Sequence, residues 1–396
     1  GNYTFLNCTG LTSVTLGNSI TILNSHCFNA CSGLTSINFP NSITSIGASS
    51  FYGCSSLTTI TIPDSVTSIG ASAFIVCTGL TSIIFDGTPT LTSLSDNVFR
   101  YCAGVTSITI PDSVTNIGSY ALGSCSGLTS ITIPTSVTSI GAFAFISCIG
   151  LTSLTFTATS TVTTIAQEAF NGCTGLTGTQ AIPDSVTSIG QSGFQSTNIT
   201  SFTFGAGSQL TTIDNFAFQL NSNLTSFTMP NTVTTIGTQL FYQCTSLASV
   251  SISTHNSVTT LGSNMFADTA LTSITIPSNI TTISANAFSG ITTLLTVVMN
   301  TGSVVFSTVF SGITTITSVT FDYAGAIPAN SCLSVTNLTS VTISQRLTLE
   351  QFHNQELRMG DANGKMGWQL KKVKHFIFIL FYQNSSKSIN PLNEVI

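Results

Sequence analysis

Over most of the chain the apolar positions return in one fixed order. In the stretch 57–77 they include Leu57, Ile60, Ile62, Val66, Ile69, Ala73, Phe74 and Cys77. Ile60 and Ile62 alternate with Thr59 and Thr61, the period of two that marks a strand with one face buried. Pro63-Asp64-Ser65 ends that strand, because proline has no N–H to give to a sheet ladder and the three residues together favour a turn. "SVTSIG" at 65–70 predicts a second short extended segment on the opposite side, with Gly70 permitting a tight bend. "ASAFIVC" at 71–77 returns the chain and reads as a turn of α- or 3₁₀-helix.

The order then repeats. Its first residue recurs at Leu11, Leu34, Leu57, Leu80, Val105, Leu128, Leu151, Leu176, Ile199, Leu224, Leu247, Leu271, Leu294, Ile316 and Leu338, and eight of the 14 intervals are 23 residues while three are 25. A unit this short cannot enclose a core, so neighbours must cover each other's open faces and complete each other's strand hydrogen bonds. The assembled unit "LTSITIPDSVTSIGASAFxxCxG", with its leucine strand, the Pro after it, the "IG" and the "AFxxC", resembles the BspA-like class of leucine-rich repeats over residues 1–344. The resemblance implies a right-handed repeat solenoid with a parallel β-sheet on its concave face and short turns or helical turns on the other side. It also implies a non-enzymatic protein of a cell surface or the extracellular space, some relatives being adhesins for host or bacterial surfaces.

Charge narrows the partners. Only 5% of residues are charged, against roughly 25% in an ordinary soluble domain. Seven of the eight basic residues lie after position 344, so Arg100 stands alone in a body that carries nine acids. Such a body cannot neutralise phosphates, which excludes nucleic-acid binding through a basic face. The longest apolar run, "FIFILFY" at 376–382, falls well short of the roughly 18 residues of a membrane span.

The cysteines look like chemistry and resolve into columns. Cys8, Cys31, Cys54, Cys77, Cys102, Cys125, Cys148, Cys173 and Cys244 each stand three residues before the start of a unit, Cys27 falls where Ala73 stands, and Cys332 falls beside that column, where Phe74 stands. Side chains of one column run parallel instead of converging, so the sequence predicts buried free thiols that behave as small hydrophobes. No CxxC occurs, and His26, His255, His353 and His375 are scattered, so no zinc site is built. Asp64, Asp112 and Asp184 are one turn residue repeated, Gly70, Gly118 and Gly141 belong to the periodic bend, and no nucleophile–base pair stands out. The reading is no enzyme and no cofactor. Seven N-x-[ST] sequons, at Asn2, Asn7, Asn198, Asn223, Asn279, Asn337 and Asn384, suit a secreted glycoprotein but also arise wherever Asn precedes the obligatory "LT" or "IT".

Candidate interaction residues are those flanking the middle apolar position of each strand: Thr59, Thr61, Ser107, Thr109, Ser130, Thr132, Ser153, Thr155, Ser201 and Thr203, a carpet of hydroxyls broken by Ile84. It lacks Trp, Tyr and Arg anchors, so it suits many weak contacts with a protein or glycan ligand. The three 25-residue units replace the Pro turn with "FDGTPTL", "FTATSTV" and "FGAGSQL", which puts Asp86, Thr157 and Gly205 on enlarged edge loops. Two other functions fit the same pattern: a structural or intracellular scaffold, and an ice-binding array of stacked Ser and Thr. The opening "GNYTFLNCTG" enters midway through a unit and reads as a fragment lacking its first half. Residues 345–396 abandon the period and read as a cap, a membrane-proximal segment or a disordered tail.

Overall fold

The computed structural model describes residues 1–254, 257–304, 309–310, 312–323, 327, 332 and 335–343. The segment 345–396, with its basic and aromatic run, lies outside them, as do His255, His353 and His375.

Each coil places strands in two parallel stacks. Thr59–Ile62, Ser82–Phe85, Ser107–Ile108, Ser130–Ile133 and Ser153–Phe156 pair side by side as the alternation predicts, with Ser130 opposite Ser153 and Ile131 opposite Leu154. The "SIG" segments form the second stack, where two-residue strands such as Asn116–Ile117 and Ser139–Ile140 lie in register. Between the stacks the Pro turn closes as expected, the Val66 N–H donating to the Pro63 carbonyl at 3.0 Å.

The long-strand sheet is interrupted. Seven strands run from Ser13–Thr15 to Ser153–Phe156, four more begin at Thr177–Ile182, and a further four begin at Ser273–Ile276. In the first strand after the break Gly178 adopts φ 70°, and the pairing of that strand with Asn198–Phe204 slips in register between Gly178 and Thr179. The extra residue leaves Gln180 buried where other coils carry an apolar side chain.

The return segment differs from its helical expectation. Ser72 and Val76 take φ 60° and 62°, and pairs of left-handed residues four apart recur at Asn97 and Tyr101, Tyr120 and Ser124, and Phe143 and Ser147. Between them the N–H groups alternate in direction. Ala73, Ile75 and Cys77 donate three residues back within the coil, while Ser72, Phe74 and Val76 donate to Asp96, Val98 and Arg100 of the next coil at 2.8–2.9 Å. A helix would turn every N–H inward along its own axis and leave the neighbouring coil unbonded. The left-handed residues, costly for a β-branched Val, are held because both sides of the ladder are satisfied.

Gly70 is explained by proximity instead of by a bend, for it does not take a left-handed φ. A Cβ there would lie 2.7 Å from the Ala48 Cα in the preceding coil. The core runs the length of the stack. Phe28, Phe51, Phe74 and Phe99 form one row of stacked rings 5.1–5.6 Å apart, Leu122 interrupts it, and Phe145, Phe170 and Phe194 resume it at 5.2 Å.

The thiols are free and, apart from exposed Cys8 in the first coil, buried. They are more than small hydrophobes. Each Sγ from Cys31 to Cys173 donates to a carbonyl of the preceding coil, Cys54 to Phe28 at 3.2 Å and Cys77 to Phe51 at 3.1 Å among them. Where Asn221 takes the cysteine position, its Nδ2 makes the same bond to the Phe194 carbonyl at 3.0 Å.

Candidate functional site

The structure divides the Ser and Thr side chains into two populations that look alike in the sequence. In most units the second residue bonds its hydroxyl to the stack: Thr81 Oγ1 donates to the Thr58 carbonyl at 3.1 Å and Thr129 to the Thr106 carbonyl at 3.1 Å. Matching ladders run along the other stack, from Thr138 to the Thr115 carbonyl and from Ser65 to the Ile43 carbonyl. Much of the hydroxyl content is therefore structural. Its signal in the sequence is the recurrence of Thr at one column in all units but those with Ala248 and Leu295, which reads equally as a row of solvated side chains.

The second population is the candidate face. Thr59, Thr61, Ser107, Thr109, Ser130, Thr132, Ser153 and Thr155 are all exposed. Strand pairing holds Ser107 beside Ser130, Ser130 beside Ser153 and Thr132 beside Thr155, while Thr109 directly follows the end of its strand, Ser107–Ile108. Parallel strands ~4.8 Å apart with a rise of ~3.3 Å per residue set these hydroxyls on a net of about 4.8 by 6.6 Å. Ile84 lies beside Thr61 on the same face and is 45% exposed. Each hydroxyl both donates and accepts, so the array can bind sugar hydroxyls or peptide groups without charge.

Ser201 and Thr203 do not join that array, because their strand, Asn198–Phe204, belongs to the set beyond the break. Ser201 is half-buried and hydrogen-bonded to Thr179 at 2.8 Å, while Thr203 is exposed.

The enlarged loops are fastened to the turn of the coil before them. Thr90 Oγ1 donates to the Asp64 carbonyl at 3.3 Å, and Gly87 sits against the Asp64 carboxylate. Thr157 and Thr159 share hydrogen bonds with Thr135 Oγ1 at 2.9 and 3.2 Å. Gly205 and Gly207 pack on the Asp184 carboxylate, whose backbone carbonyl takes the Gln209 N–H at 2.9 Å. Asp86 and Gly205 remain exposed, and Thr157 is half-buried.

The geometry also separates the sequons. Asn198, Asn279 and Asn337 donate their side-chain amides to carbonyls of the preceding coil, each at 2.7 Å, whereas Asn2, Asn7 and Asn223 are exposed. Asn384 lies outside the described residues.

Nothing in this arrangement activates a nucleophile. Burial, followed by the neighbouring thiol of the column, pushes the Cys54 thiol up to about 12 and Cys77 and Cys102 well above the usual thiol range, the opposite of what a reactive thiolate needs. Among the described residues no group of three His, Cys, Asp or Glu is placed to hold a metal, and no helix is long and apolar enough to cross a membrane.

Among solved structures, the chain is similar to a leucine-rich cell surface protein of Faecalibacterium prausnitzii A2-165, at 26% identity over 88% of this chain and 89% of that one with a TM-score of 0.41. A leucine-rich-repeat protein of Bacteroides ovatus shows 21% identity over 84% and 71%, TM-score 0.41, and the pneumococcal vaccine antigen PcpA 17% over 85% and 87%, TM-score 0.43. No curated protein matches. The model of the BspA-type leucine-rich-repeat region matches at residues 1–93, 92–220, 155–268 and 211–339. With those matches spanning the coils that carry the strand, Pro turn and thiol ladders, the chain belongs to the BspA-type leucine-rich-repeat family, a class of non-catalytic scaffolds.

Proposed function

We propose that the protein is a cell-surface or secreted adhesin whose hydroxyl face makes multivalent contacts with a protein or glycan. The observation that carries this reading is the in-register array of exposed Ser and Thr from Thr59 to Thr155, set on a rigid parallel sheet and uncharged. A rigid array loses little entropy on binding, and repeated weak contacts add through avidity. The surface setting is the one that membership of this family implies. Asp86 and Thr157 follow strands of this face and supply selectivity at its edge, while Gly205 serves the same part for the strand set beyond the break.

The test compares monomeric protein with protein coupled in many copies to a bead, over arrays of glycans and extracellular proteins. Binding is expected to rise steeply on display in many copies and to depend only mildly on salt. Placing Lys together at Thr109, Thr132 and Thr155 abolishes it while the melting profile is kept, since all three side chains are exposed. Equal binding by parent and triple variant rejects the face, and thermal hysteresis lost in the triple variant assigns the array to ice.

A further inference from the structure

The side of the return turns carries a cluster that the hydroxyl face lacks. The Arg100 guanidinium lies 4.0 Å from the centre of the Tyr120 ring and 4.7 Å from that of Tyr101. Tyr120 in turn stacks on Phe143, ring centres 4.5 Å apart and planes within 2°. Ile146 reaches over Gly123, and Ile149 beyond it is 55% exposed. Tyr101, Tyr120 and Phe143 occupy left-handed positions, at φ 64°, 55° and 62°, which every neighbouring coil also has; many coils place Ser, Asn or Gln there, and Val76, Phe216 and Leu220 are other apolar occupants.

Arg100 is the sole Lys or Arg among the described residues, and no carboxylate there pairs with it. Its Nη1 donates to Asn97 Oδ1 at 3.2 Å, and its Nε–H is buried without an acceptor. Asp96, in the same coil, is engaged elsewhere and accepts the Ser119 N–H at 2.7 Å. A cation fixed on aromatic rings and left unneutralised favours a partner's carboxylate.

From this we infer that the Arg100–Tyr101–Tyr120–Phe143 cluster is a docking site for a protein segment that presents an acidic side chain beside apolar ones, independent of the hydroxyl face. Two features select a peptide over an acidic sugar. The faces of the Tyr120 ring are covered by Arg100 and Phe143, which removes the flat platform a pyranose stacks on. The flanking Ile146 and Ile149 suit apolar side chains, and Tyr, Phe and Arg together have the composition of protein–protein anchors.

The experiment selects binders to the full chain from a random dodecapeptide library displayed on phage. Enriched peptides are expected to carry Asp or Glu beside aliphatic or aromatic residues. Their affinity should fall on the order of tenfold or more in Arg100→Gln and Tyr101→Ser, be partly kept in Arg100→Lys, and survive the triple Lys change on the hydroxyl face. Both test variants install residues that other coils already carry there, Gln195 and Gln219 for the first, Ser124 and Ser147 for the second, so the coil retains its fold. Peptides without acids, peptides indifferent to Arg100→Gln, or Arg100-dependent capture of sialylated or sulfated glycans in place of peptides would each overturn the inference.

Discussion

Cys77 shows how one side chain serves the stack. Its thiol fills a small apolar space and donates to the Phe51 carbonyl at 3.1 Å. Without that donor the carbonyl keeps only the Cys54 N–H at 3.2 Å, and Asn221 shows that a different side-chain donor can do the same work. Cys77→Ser therefore keeps a hydroxyl where an acceptor waits, and Cys77→Ala does not. In urea unfolding, the Ala variant is expected to lose about 1–3 kcal/mol and the Ser variant less. A Ser variant less stable than Ala would show that the thiol acts only as a hydrophobe. From the sequence alone the hydroxyl looks stranded, because the acceptor belongs to a residue 26 positions earlier.

At the scale of the coil, what decides the structure is how closely one backbone approaches the next. The Gly79 N–H donates to the Ser55 carbonyl at 3.0 Å, and a Cβ on Gly79 would overlap that same oxygen. Gly79→Ala is expected to cost about 1–3 kcal/mol as an overpacking defect and, in hydrogen exchange, to expose amides of the 55–57 turn and its own coil before more distant ones. Loosening spread evenly along the chain would contradict a stack held by nearest neighbours. The strands were legible because alternation of Thr and Ile is a local signal. The return segment was not, since "ASAFIVC" has the composition of a helical turn and its left-handed residues are paid for by bonds to the following coil.

Taken along its whole length, the molecule carries a pH liability in its thiol column. Burial first, and then neighbouring thiols, raise Cys54 to about 12 and Cys77, Cys102, Cys125 and Cys173 well above the ordinary 9.0, while burial alone among the raising causes brings Cys244 to about 12. In the unfolded chain these thiols ionise near 9.0. Above that pH the unfolded state binds fewer protons than the folded one, so stability falls as pH rises towards the folded values, and below it the thiols contribute no slope. Each thiol adds at most ~1.4 kcal/mol per pH unit, and several act together. Denaturant midpoints are expected to hold from neutral pH to about 9 and then to drop steeply. A midpoint that stays flat to about pH 11 would count against a buried thiol column.

The period, the strand, the Pro turn, the phenylalanine row and the burial of the cysteine column could all be read from the chain, because each is a local pattern repeated until it is unmistakable. The fold class followed from the same repetition. The use of each hydroxyl could not be read in that way. Thr58 and Thr59 are adjacent, chemically identical and both exposed, yet Thr58 donates to the Thr35 carbonyl while Thr59 stands on the strand face. The register slip at Gly178, the loops fastened to Asp64 and Asp184, and the gathering of Arg100, Tyr120 and Phe143 were likewise settled between coils. Residues about one period apart in sequence become neighbours only when the backbones stack, and it is that distance, set by strand pairing, that sorts structural side chains from those left free to bind.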